Sequence, residues 1–63
     1  MTGKELHAFM PERTAEGLAQ PIAPGDLAAR AGIPLAEAVN LLLGMEDREL
    51  VRRLPGGRYV RIR

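Results

Sequence analysis

Sixty-three residues with 9 Lys and Arg against 8 Asp and Glu carry a formal charge of +1, and 46% of them are hydrophobic, too many for a disordered tail and enough for one small domain. The absence of Cys excludes a disulfide scaffold and a thiolate metal site, so nothing requires an oxidising compartment and a reducing cytoplasm is expected. No apolar run exceeds three residues, as at Leu41 to Leu43, where a bilayer span needs about 20, so a membrane partner is not expected.

Side-chain hydroxyls occur only at Thr2, Thr14 and Tyr59, and the sole imidazole is His7. No nucleophile has a base beside it, and no second His or Cys completes a zinc shell. A non-catalytic protein without cofactor or metal is therefore expected.

Thr2 followed by Glu5 fits a capping box, and Leu6, Phe9 and Met10 fall on one stripe, predicting a short amphipathic helix from near Gly3. Pro11 stops it or begins another. Glu12 to Ala19 reads as a weaker helix, with Ala15, Leu18 and Ala19 as its stripe and Gly17 as a flaw. The segment 1–20 is thus one or two helices packing on a core formed by 21–63, the whole being a single domain. Pro21-Ile22-Ala23 suits only a connector or a very short edge strand.

Pro24 at a first helical position, Asp26 in the first turn and Gly32 as a left-handed stop define a helix over about Gly25 to Ala31. After Ile33-Pro34 the longest helix runs from Leu35 to about Arg48. Two short helices joined across Gly-Ile-Pro make a helix-turn-helix. Leu50 to Leu54 and Tyr59 to Ile62 then read as strands around Pro55-Gly56-Gly57-Arg58. The expected class is mainly α with a small β-hairpin: a winged helix-turn-helix, a three-helix core plus a C-terminal wing.

Charge divides along the chain. Met1 to Asp47 holds 3 bases and 7 acids, whereas Arg48 to Arg63 holds 6 bases, all Arg, and the single acid Glu49. With a hairpin loop of two residues (Gly56-Gly57) or four (Pro55 to Arg58), Leu54 stands opposite Tyr59, Arg53 opposite Val60, Arg52 opposite Arg61 and Val51 opposite Ile62. Val51, Val60 and Ile62 would then face the helices, with Arg53 laying its stem alongside them. Arg52, Arg61 and Arg63 would share the outer face, with Arg58 at the turn and Tyr59 beside them. Like charges opposed on one face ask for an anion; a solubilising edge that repels other strands is the structural alternative.

The long helix has an apolar arc of about 200°, wider than a surface helix needs. Its remaining face offers only Asn40 for base edges, and it carries three acids, Glu37, Glu46 and Asp47. Base readout is not expected. Leu35, Val39 and Leu43 are either covered by Leu6, Phe9 and Leu18 or left as a contact surface.

The stretch Asp26-Leu27-Ala28-Ala29-Arg30-Ala31-Gly32-Ile33-Pro34-Leu35-Ala36-Glu37-Ala38, then Leu41-Leu42-Leu43, and above all Leu50-Val51-Arg52-Arg53-Leu54-Pro55-Gly56-Gly57-Arg58-Tyr59-Val60-Arg61, resembles the C-terminal winged-helix domain of the DNA-processing protein A (DprA/Smf) family. The resemblance implies an accessory domain of a cytoplasmic protein of natural transformation and DNA recombination, whose separate Rossmann-like domain binds single-stranded DNA and helps load RecA. It supplies no catalytic residue. Glu49 stands where the family ends its long helix with Gly, so a non-Gly residue is expected at positive φ.

Two functions follow as expectations. In the first, Arg52, Arg58, Arg61 and Arg63 contact phosphates of single- or double-stranded DNA without sequence readout, Arg53 assists, and Tyr59 packs on sugar or base. In the second, Leu35, Val39 and Leu43 together with the Arg face bind an acidic protein partner or a second copy of the chain, RecA being one partner considered.

Overall fold

The computed structural model describes residues 1–62. In chain order it contains α1 (Gly3–His7), α2 (Pro24–Ala31), α3 (Leu35–Asp47), β1 (Val51–Arg53) and β2 (Tyr59–Arg61), a mostly helical chain closed by a two-stranded antiparallel hairpin.

The capping box forms as its spacing predicts. Thr2 Oγ1 accepts the Glu5 amide at 3.1 Å, and a Glu5 carboxylate oxygen accepts the Thr2 amide at 3.0 Å. The helix it opens is only five residues long, yet it places Leu6 wholly inside the core. A second helix over Glu12 to Ala19 does not form; that stretch is an irregular, largely exposed loop. Its backbone turns at Gly17, with φ +82°, and Thr14 Oγ1 accepts the Leu18 amide at 3.1 Å. That side chain takes an amide which a helix would have used, and no buried stripe repays the lost backbone freedom.

α2 and α3 follow the sequence closely. Pro24 occupies the first position of α2, where its missing N–H costs nothing, and after three intervening residues α3 starts at a bend of 109°. Both helices close with the same motif. Gly32, φ +70°, lets Ile33 N–H reach Ala28 C=O, and Glu49, φ +60°, lets Leu50 N–H reach Met45 C=O. The expectation of positive φ at Glu49 holds, and each motif returns an apolar residue, Ile33 or Leu50, to the core.

That core joins Leu6 and Met10, Leu27 and Ala28 of α2, Ala38, Leu42 and Met45 of α3, and Ile22, Val51 and Tyr59 of the β region. Ile22 forms a one-residue bridge to Tyr59, with hydrogen bonds of 2.8 and 2.9 Å in the two directions, so β2 is paired on both sides. Among the described residues no single helix is long and apolar enough to cross a membrane.

The hairpin register differs by one residue from the sequence reading. Val51 pairs with Arg61, Arg52 with Val60 and Arg53 with Tyr59. The loop has an odd length. Leu54 N–H bonds Arg58 C=O at 2.7 Å around Pro55-Gly56-Gly57, and both glycines take positive φ, +89° and +80°. Pro followed by Gly at positive φ makes a type II turn, and the second Gly supplies the left-handed residue of a three-residue connection.

Candidate functional site

A slip of one residue reassigns side chains between the two faces of a ribbon. Val51, Arg53, Tyr59 and Arg61 now share one face, and Arg52 and Val60 the other. The single outer face of Arg52, Arg61 and Arg63 is therefore corrected. Arg52 and Arg61 project from opposite sides, and Arg63 lies outside the described residues.

Tyr59 is corrected as well. It is only 5% exposed, packed in the core beside Ile22, because alternation from the observed register turns it inward with Val51. Its ring is not presented to a sugar or base. Val60, expected to pack against the helices, is buried on the opposite face.

The arginines occupy distinct settings. Arg53 Nε lies 3.9 Å from Glu46 on α3, which agrees with a stem laid along that helix. Arg61 Nη1 lies 3.9 Å from Glu12, with its side chain 22% exposed against 86% for Glu12. Both separations are long for charge-assisted hydrogen bonds, and pairs with so exposed a member contribute little to stability. Arg48, Arg52 and Arg58 are exposed. Arg52 lines a groove with Glu46 and Glu49, and Arg58 lines another with Asp26 and Arg30 of α2. The positive end of the chain is thus real in three dimensions but interleaved with carboxylates.

On α3, Ala38, Leu42 and Met45 face the core, while Leu35 and Leu43 are 54% and 45% exposed and Val39 is half-buried. Of the three residues expected to cover that stripe, Leu6 is buried, but Phe9 and Leu18 are themselves 41% and 65% exposed. The apolar stripe therefore remains on the surface. Sequence reasoning missed the cationic contribution of the irregular segment, where Arg13 Nη1 donates to Gly17 C=O at 2.9 Å and stands near Arg61. Reading 12–19 as a helix concealed it.

No family model, curated protein or solved structure matches this chain.

Proposed function

We propose that this chain is a non-catalytic winged helix-turn-helix module that contacts DNA phosphates without reading sequence, using the exposed arginines of its hairpin. The observation that carries the reading is the exposure of Arg52, Arg53 and Arg58 on a short ribbon attached to a small helical core. Arginines on both faces suit such a contact. The major groove admits a two-stranded ribbon, and phosphates line both of its walls, so guanidinium groups on opposite sides each meet a backbone. The acidic, apolar surface of α3 argues against base readout in the same complex. The Leu-Pro-Gly-Gly-Arg-Tyr hairpin adds the resemblance to the DprA/Smf family, and with it an accessory role in DNA processing during transformation.

With two or three phosphate contacts, binding to labelled duplex should weaken with salt at a log–log slope of about −2 to −3. Anisotropy titrations of single- and double-stranded DNA across salt measure it. Arg52→Glu combined with Arg58→Glu should abolish binding, whereas Leu35→Asp should not; a flat salt response or an unaffected double variant rejects the reading.

A second reading is favoured by the exposure of Leu35 and Leu43. A protein-contact or self-association face over Leu35, Val39 and Leu43 predicts a mass that rises with concentration in sedimentation and falls back in Val39→Asp.

A further inference from the structure

The irregular segment and the hairpin enclose a groove of about 430 Å³, which shares only Arg52 with the readings above. Arg13, Arg52 and Arg61 stand around it, and Leu54, Val60 and Ile62 supply its apolar surface. The geometry points to a docking site for a partner protein's peptide in which Asp or Glu residues alternate with aliphatic ones.

The wall of the groove is built rather than loose. Gln20 Nε2 donates to the Glu12 carbonyl at 2.6 Å, Thr14 N–H donates to Leu18 C=O at 2.9 Å, and Arg13 is pinned to Gly17. A segment already ordered loses less freedom when a ligand arrives. The ribbon side is equally fixed, since β2 is hydrogen-bonded to β1 and to Ile22. At Tyr59 the outer edge of β2 is already taken by Ile22, so recognition there uses side chains.

Charge selects the ligand class. Arg13, Arg52 and Arg61 line the groove, Arg52 and Arg61 reaching it from opposite faces of the ribbon, and Arg61 pairs there with Glu12, 3.9 Å away and 86% exposed. A pair so solvated is displaced at little cost, so an incoming carboxylate exchanges for Glu12. Glu46 and Glu49 adjoin Arg52 from a neighbouring groove and limit the number of acids that can be accommodated.

The surface between the arginines separates peptide from nucleic acid. Single-strand sites use aromatic side chains as their main stacking platforms for bases. Here the apolar lining is aliphatic, with Ala19 and Pro21 beside the three residues already named, and the domain's Tyr59 is buried elsewhere. Leucine, isoleucine or valine side chains fit that lining, and carboxylates at alternate positions of an extended chain meet the rim.

The test is fluorescence anisotropy with a labelled octapeptide of alternating leucine and glutamate, its glutamine-for-glutamate counterpart, and a labelled twelve-nucleotide oligothymidine. Arg13→Glu should weaken the acidic peptide about tenfold, while Glu12→Gln should tighten it about threefold by removing the internal competitor. Arg58→Glu, outside the groove, should leave peptide binding unchanged. Glu12→Gln keeps the backbone carbonyl that holds Gln20, so its gain tests the site even where Arg13→Glu disturbs the loop. The inference is overturned by an absence of saturable binding, by equal binding of the glutamine peptide, or by indifference to both variants. Oligothymidine that displaces the peptide in an Arg13-dependent manner overturns it too, assigning the groove to nucleic acid.

Discussion

Glu49 shows what one residue is made to do by its neighbours. The chain must reverse out of α3 so that Leu50 reaches the core and Val51 enters the ribbon, and a left-handed residue is the shortest way to do it. At Gly32 the same turn is made without a Cβ; at Glu49 it carries a steric cost of about 1–2 kcal/mol. Glu49→Gly should therefore raise stability by about 1 kcal/mol, a shift of roughly 5 °C in the thermal midpoint read by circular dichroism. At the other end, hydrogen bonds from the Thr2 backbone and hydroxyl hold the Glu5 carboxyl below the usual carboxylate range. A depressed folded pKa makes the contribution present above the unfolded value of about 4.3 and lost as pH falls through the folded one. Acidification below that range should loosen α1 first, seen as earlier exchange of the Glu5 and Leu6 amides, and Glu5→Gln, which leaves no titrating carboxyl at this cap, should remove this pH dependence.

Among elements, the hairpin is where a small local choice has the widest effect. A loop of two or four residues and a loop of three use the same sequence, but they differ in which arginines share a face. Pro55 and the two positive-φ glycines form the odd loop, and the Ile22–Tyr59 bridge holds the inward position of Tyr59. Arg53 and Tyr59 are neighbours without mutual ladder bonds, since Tyr59 spends its N–H and C=O on Ile22. Such pairs bring their Cα atoms to about 4.5 Å. A strong Hα–Hα nuclear Overhauser effect between Arg53 and Tyr59 is expected; one between Leu54 and Tyr59 instead would restore the even loop and the single arginine face. The failure of the second predicted helix belongs to this scale as well. Its periodicity was present at Ala15, Leu18 and Ala19, but periodicity stabilises a helix only when a surface exists to receive it.

For the whole molecule, a core this small leaves little margin. Leu42 is fully buried between the other elements, and Leu42→Ala should cost about 3 kcal/mol, comparable with the entire stability of such a domain, so the variant should be largely unfolded by urea titration. Leu35→Ala, on the exposed stripe of the same helix, should change stability by less than about 0.5 kcal/mol. A large loss there would mean that the stripe is structural and not a contact surface. Local signals, namely capping residues, prolines at helix starts, a left-handed stop and the division of charge, determined the capping box, α2, α3 and the existence of the hairpin, because each acts over a few consecutive residues, whereas the positive φ at Glu49 was expected only from the family resemblance. The tertiary structure decided which face each arginine took, that Tyr59 went inside, and that 12–19 stayed irregular beside the ribbon. The arginine faces depend on a register between residues 6 to 10 positions apart, and the other two outcomes on contacts between segments 35 to 50 positions apart, where burial against a partner, rather than any local preference, selects among conformations of similar intrinsic energy.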